Sequence, residues 1–333
     1  MDKFFPASYS CLSSQALAQF IVEKYQLPAV VCKLLVRGVG DTYLVMSDKR
    51  KFIMRVYRSS HRTLPQIKEE INLLLALHSA QVPVSYPIAC GSKAYVLSVN
   101  AIEGERHLVL FSYAPGQSVR ILNDNQLRNL GREMARFHNV SAKFVPDGSR
   151  WKLDINTTCL EPLKRIRPAL SDDLENYSWL ENTVKRVEKK FSTIDSASFA
   201  KGYCHFDFLP KNFHFENDAV TFFDFDFMGY GWLVNDIMSF WQHLCLETYT
   251  ARTTREAADQ AYGRFLDAYR QTRAISEAEL DLVPFLAVGF WLFYMGFHTT
   301  HDQFYTQCQP SQVKAYIGVI KYIVNTHWTP EDQ

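Results

Sequence analysis

The 333-residue chain has no paired cysteine motif: Cys11, Cys32, Cys90, Cys159, Cys204, Cys245 and Cys308 stand singly, with no CxxC or CxH spacing among them. Seven is an odd number, and this pattern argues against a spaced cysteine motif and for reduced thiols. Charge of one sign is also missing. Thirty-six basic against 35 acidic side chains leave a formal charge of +1 with the signs intermixed, so no field gathers nucleic acid or an anionic membrane. Neither is expected as a partner; a small ligand remains open. The longest apolar run, "LVPFLAVGFWLFYMGF" at 282–297, falls short of the roughly 18 residues of a membrane span. It also contains Pro284, Gly289 and Gly296, and reads as a buried helix. The first 20 residues lack a basic region followed by an apolar run and a cleavage site, so no secretory leader is expected and the cytoplasm is the expected location. Internal repeats, low-complexity tracts and long charge blocks are missing too.

What is present is enough apolar residue, 47% of the chain, for a sizeable core in two domains or two lobes. Helical spacing of Leu17, Phe20 and Ile21 behind serine caps predicts an opening helix over 13–25. Three β-prone runs, "VCKLLVRG", "TYLVMSDKR" and "KFIMRVYRS", are separated by turn chemistry and predict antiparallel strands. A helix follows over 61–80, with Thr63 as N-cap, Pro65 in the first turn and Ile67, Ile71, Leu74 and Leu75 on one face. Two further strands are expected around a polar turn at 103–106, and "APGQ" marks a boundary at 113–116. Beyond it the pattern is mostly helical.

The exception is 202–227, "GYCHFDFLPKNFHFENDAVTFFDFDF", where His205, Asp207, Asn212, Asp224 and Asp226 sit among aromatic residues. Buried carboxylates need a partner, a hydrogen bond or a cation. Strand, loop, short strand, turn and strand would present Asp207 with Asn212 at one strand end and Asp224 with Asp226 at the other. Such a hard-oxygen set suits Mg²⁺, which uses few carboxylates together with substrate phosphates.

His-x-Asp-x-x-x-x-Asn, followed by an apolar strand and Asp-Phe-Asp, resembles the aminoglycoside phosphotransferase and choline kinase family, over most of the chain. The resemblance, which extends to homoserine kinases, implies an α+β, protein-kinase-like bilobal fold. Residues 1–113 would form the N-terminal nucleotide-binding lobe, an antiparallel sheet with a helix. Residues 114–333 would form a mostly helical catalytic and acceptor-binding lobe. It further implies ATP (or GTP) as donor, Mg²⁺, and a small-molecule hydroxyl as acceptor. By that resemblance Asp207 is the base or orienter of the acceptor hydroxyl, and Asn212 and Asp224 are metal ligands. Arg55 contacts phosphate where the usual residue is Lys, and Glu70 pairs with it in preference to its neighbour Glu69. Gly38 and Gly40 let the nucleotide-covering loop approach the nucleotide, and Thr42 is a candidate phosphate contact. Phe111, Ser112 and Tyr113 belong to a hinge that meets adenine through its backbone, and Asp236 braces the catalytic loop. Phosphoryl transfer asks a protein mainly for such positioning and charge.

Other roles are plainer. His205 reads as a core histidine, Asp226 is open between a second metal contact and none, and Lys211 is expected to face solvent, with contact to a phosphate as the alternative. Phe206, Leu209 and Lys211 depart from the family, which often has Gly, His and Gly there. The acceptor pocket is expected on the C-terminal helices, with Trp241, Glu247, Trp291, Tyr294 and Asp302 as candidates. Aromatic faces beside a carboxylate favour an amine-bearing alcohol, amino acid or aminoglycoside. The Arg of HRD, the Gly of DFG and an APE motif are missing, which argues against an ordinary protein kinase. A stress-type serine/threonine kinase on the same scaffold and a non-catalytic nucleotide-binding protein are the alternatives. The second expects a lost base or metal ligand, and none is lost. A monomer or a homodimer is compatible with the sequence.

Overall fold

A computed structural model describes residues 6–332. The chain divides into two compact units, the described part of Met1–Pro115 with Thr221–Phe223, and Gly116–Val220 with the described part of Asp224–Gln333.

In the first unit α1 (Ser14–Tyr25) is followed by β1 (Val30–Arg37), β2 (Gly40–Ser47) and β3 (Arg50–Tyr57). Next come α2 (Leu64–Ser79), β4 (Leu97–Ala101) and β5 (Gly104–Ser112). The strands form one antiparallel sheet in the order β1-β2-β3-β5-β4. Apolar alternation along β2, β3 and β5 turns Tyr43, Val45, Met54, Val56, Leu108 and Leu110 onto the face where α1 lays Leu17 and Ile21. Full burial of side chains of this size stabilises by roughly 1.5–3 kcal/mol each. Helix α2 starts where the sequence puts it. Thr63 and Gln66 form a reciprocal capping box, and Pro65 occupies the first turn, where its missing N–H costs nothing.

The second unit contains α3 (Asp124–Ser141), β6 (Trp151–Leu153), α4 (Glu161–Ile166), α5 (Leu174–Thr193) and β7 (Lys201–Cys204). Then follow β8 (Phe213–Glu216), β9 (Ala219–Phe222, whose end belongs to the first unit) and β10 (Gly229–Trp232). The chain closes with α6 (Val234–Tyr249), α7 (Arg255–Arg270), α8 (Glu277–Leu280), α9 (Val283–His298) and α10 (Pro310–His327). Strands β6, β10 and β7 make a small sheet. Helix α9 is the apolar run of the sequence and is buried on nearly every face. A Cβ on Gly296 would lie 2.7 Å from Pro162, so the glycine is what lets α4 pack against α9. Among the described residues one stretch, Glu277–His298, is long and apolar enough to cross a membrane, and 78% of it is buried in the fold.

Two expectations need correction. The polar turn placed at 103–106 lies earlier, at Ile102 and Glu103, and Arg106 is inside β5 and 1% exposed. Its guanidinium meets Asp41 at 3.1 Å, Glu103 at 3.0 Å and the Tyr57 carbonyl at 2.7 Å. A fully bonded arginine tolerates a burial that an unpaired one does not. The sequence pattern also passed over β6, α4 and β10, each too short to show a period.

Candidate active site

Strand β7 ends at Cys204, and the backbone beyond it is held by a single carboxylate. Asp236, in the first turn of α6 and wholly buried, accepts the N–H of His205 at 2.9 Å and of Phe206 at 2.6 Å. His138 of α3 donates to the same carboxylate through Nε2 at 3.1 Å, and its Nδ1 accepts the Tyr269 hydroxyl at 2.7 Å. Burial lowers the His138 pKa, against the pull of Asp236, and keeps the ring neutral. His205 is itself buried, with rings of Phe208 and Phe225 at 4.6 and 4.5 Å. Its Nδ1 accepts the Asp207 N–H at 3.2 Å, which makes it part of the loop's support. Phe206 takes φ +64°, a left-handed conformation that costs a residue with a side chain roughly 1–2 kcal/mol. Its fully buried ring packs on Phe290 and Phe293 at 5.7 and 5.2 Å, and this burial offsets the strain at a position where glycine would carry none.

Asp207 follows, 5% exposed. Its Oδ2 accepts Asn212 Nδ2 at 2.7 Å and pairs with Lys211 Nζ at 2.9 Å. Among the described residues its buried Oδ1 has no hydrogen-bond partner. A buried carboxylate oxygen left in that state is costly unless a ligand completes it. Lys211, expected in solvent, is instead drawn onto Asp207, with its side chain about half exposed (54%). It also donates to the Tyr294 hydroxyl at 3.1 Å. Burial works against the ammonium, but the Asp207 charge outweighs it and raises the lysine pKa. Burial and the same carboxylate push the Tyr294 phenol well up.

Asn212 spends both bonds of its Nδ2 on Asp207, leaving its Oδ1 without a donor among the described residues. Asp224 stands exposed at φ +62°, and Asp226 is 4% exposed. The loop between them is held at the Phe225 carbonyl by Arg150 at 2.9 Å. No three His, Cys, Asp or Glu side chains among the described residues form a ready-made cage. The Asp224 charge nevertheless acts on Lys211 and Tyr294 beside Asp207, and a carboxylate with an amide oxygen is the donor chemistry of a hard cation that also takes substrate phosphates.

In the other unit Arg55 of β3 lies across from Thr42 of β2, and its guanidinium meets Glu70 of α2 at 3.8 Å. Glu70 is 1% exposed and also accepts the Tyr57 hydroxyl at 3.4 Å. Gly38 and Gly40 close the β1–β2 turn, with the Gly38 N–H on the Gly40 carbonyl at 3.0 Å. A Cβ on Gly40 would come within 3.1 Å of the Val56 carbonyl. Phe111 and Ser112 end β5; the Ser112 N–H is already taken by the Tyr86 carbonyl at 2.9 Å, and its own carbonyl by Ser85. Tyr113 lies beside Lys51, whose Nζ is 5.3 Å from its ring.

The five acceptor candidates lie in different surroundings of the second unit. Tyr294 stands at Asp207 through Lys211. Trp291 is 7% exposed, its indole N–H has no partner among the described residues, and Tyr316 lies 5.6 Å away. Asp302 borders an open cleft of about 710 Å³ with Arg165, His298, His301 and Tyr305. Trp241 packs on His327 at 4.7 Å. Glu247 is buried and committed to Arg120 at 2.7 Å, with Arg252 at 3.7 Å. Sequence reasoning missed the Lys211–Tyr294 contact and the His138 and Arg150 supports. Their partners are remote in sequence, and no local pattern announces them.

The model of the phosphotransferase enzyme family (APH) matches residues 32–275. The chain belongs to that family. It is therefore a transferase of the ATP-using, small-molecule kinase type with an alcohol group as acceptor. An uncharacterized protein of Deinococcus radiodurans is 31% identical over 88% of this chain and 84% of its own. Among solved structures, a microcompartment-associated aminopropanol kinase is similar at a TM-score of 0.74 and 19% identity, over 94% of this chain and 98% of its own. An amicoumacin kinase solved with AMP-PNP, Ca²⁺ and its substrate is similar at 0.72 and 18%, over 96% of each chain. These likenesses show the protein-kinase-like phosphotransferase fold.

Proposed function

We propose that this phosphotransferase moves the terminal phosphoryl group of MgATP to a hydroxyl of a small amine-bearing molecule, with Asp207 as the group that receives the hydroxyl proton. The observation that carries the reading is the division of labour on Asp207. One carboxylate oxygen is bonded twice, and the other is buried and unpartnered. On this reading Oδ1 orients the acceptor hydroxyl and takes its proton as the new O–P bond forms and the bond to the departing ADP breaks. Asn212 through Oδ1 and Asp224 through its carboxylate would hold Mg²⁺, which when bound supplies charge compensation at the phosphates. Arg55, positioned by Glu70, would bind phosphate oxygens, and Thr42 with the Gly38–Gly40 turn would cover them. The amine is supported by a relative named for an amine-bearing alcohol, the homoserine kinase of Paramagnetospirillum magneticum, 25% identical over 85% of each chain. The aminopropanol kinase of similar fold is likewise named for an amino alcohol.

The test is nucleotide turnover with MgATP or MgGTP against amino alcohols, hydroxy amino acids, aminoglycosides and sugars. Acceptor-dependent turnover is expected with an amine-bearing alcohol. Asp207→Asn is expected to reduce it by about 10²–10⁴-fold while nucleotide binding persists. A variant that keeps most of the activity removes Asp207 from this role, and turnover of neutral sugars alone removes the amine.

A further inference from the structure

Lys211 stands four residues after Asp207, at a position to which the proposed chemistry assigns no role, and the fold spends two contacts on it. The short helical turn Pro210–Asn212 brings it back over the carboxylate, and Ser118 fixes that turn by donating to the Pro210 carbonyl at 2.6 Å. Nζ then bridges Asp207 Oδ2 at 2.9 Å and the Tyr294 hydroxyl at 3.1 Å, and lies over the Tyr294 ring. Tyr294 is anchored in the most deeply buried helix of the unit, with Phe227 and Phe290 at 5.4 and 4.8 Å. A flexible lysine is thereby tied at both ends, one to the loop and one to the core.

We infer that Lys211, held by Tyr294, is a positioning residue for Asp207: it pins Oδ2 beside Asn212 so that Oδ1 alone faces the acceptor hydroxyl. The inference rests on the proposed role of Asp207 and adds the device that fixes its rotamer. An aspartate side chain turns easily about its last bond, and its two oxygens are chemically alike. Asn212 alone is one bond from a group that would also serve a cation. A second bond from Lys211 removes the remaining freedom and offsets one charge in the buried site. The aromatic helix α9 then bears on the chemistry through Tyr294, whose phenol bonds Lys211 and also feels the Asp207 charge directly.

The experiment measures kcat and KM for MgATP with 3-aminopropanol, homoserine and water as acceptors in Lys211→Ala, Lys211→Arg, Tyr294→Phe and Asp207→Asn, and in the Asp207→Asn/Lys211→Ala pair. Misplacing a reacting group by about 1 Å costs on the order of 10²-fold, so Lys211→Ala is expected to lose about 10–100-fold in kcat. KM for MgATP is expected to stay within about twofold. Lys211→Arg recovers most of the loss, Tyr294→Phe loses a smaller part, and Lys211→Ala adds nothing in the Asp207→Asn background. Equal losses in both backgrounds, or a rise in KM with kcat unchanged, overturn the inference, because Lys211 would then act independently of Asp207. Crystals of Lys211→Ala supply a readout free of turnover. The Asp207 carboxylate is expected to rotate away from Asn212, and an unmoved carboxylate overturns the inference. Activity retained in Asp207→Asn instead overturns the reading beneath it, so the two failures are distinct.

Discussion

Arg55 and Glu70 meet at 3.8 Å in one unit; Lys211 and Asp207 meet at 2.9 Å in the other. In the first pair the carboxylate is 1% exposed and the cation 11%. In the second the carboxylate is 6% exposed and the cation 54%. In the longer pair the carboxylate is the more deeply buried partner and the guanidinium reaches the surface. The shorter pair bonds its ammonium directly to the carboxylate. In the reading proposed for them, Glu70 serves Arg55, whereas Lys211 serves Asp207. On that reading the same two charges do reciprocal work in the two units.

The largest effect that would sharpen this contrast is expected from Asp236→Ala. It strips the acceptor from two buried backbone N–H groups and from His138. Unsatisfied buried donors cost about 1–3 kcal/mol each, so denaturant titration is expected to show a loss of several kcal/mol, with activity falling further than the folded fraction. A variant that melts normally and works normally would break the idea that the Asp207 loop is prearranged. Next comes Arg55→Met. Loss of a charge-assisted bond to phosphate, about 1.5–3 kcal/mol, predicts a 10–100-fold fall in kcat/KM for MgATP. Glu70→Gln is expected to fall less. The reverse order would make Glu70 more than a holder.

Phe206→Gly sets two effects against each other. Relief of the left-handed backbone returns roughly 1–2 kcal/mol, while removal of a buried ring costs about 3–5 kcal/mol. A net loss of roughly 1–4 kcal/mol in chemical denaturation is expected, and a stabilised variant would show that the ring contributes little. The smallest effect is expected from pH. Burial, reinforced by the positive charge of Lys211, lowers the His298 pKa to about 4. An unfolded histidine titrates near about 6.5. Its contribution is therefore complete above that value and is lost as pH falls from about 6.5 through 4, because the unfolded chain binds the proton first. The melting temperature of His298→Asn should fall less steeply than that of the parent over this range; parallel curves would remove His298 from the linkage.

Much of this architecture is legible in the residues. Thr63 and Pro65 announce the start of α2, β-prone runs between turn residues announce β1 to β3, and the spacing from His205 to Asn212 announces a loop built around a carboxylate. The unread parts have a common physical cause. Arg106 looks like a turn residue because polarity is visible in a sequence and its ion-pair partners Asp41 and Glu103 are not. Lys211 looks like a solvated lysine because Tyr294, 83 residues away, is brought to it only by the folded helix. Strands β6 and β10, of three and four residues, carry no period of their own and exist through their neighbours. Glu247 looks like a ligand for an amine until Arg120, far off in the chain, is found on it.

Thr221–Phe223 is counted with the N-terminal unit although the chain on either side is not. Phe222 is fully buried there, its N–H donating to the Pro83 carbonyl at 2.8 Å and its own carbonyl accepting the Ser85 N–H at 2.8 Å. A gene fragment that stops at Pro115 omits this tripeptide and leaves two backbone groups and an apolar slot without their complement. For recombination between relatives, the natural crossover is thus a pair of cuts, and a chimera that exchanges the first unit must carry these three residues with it.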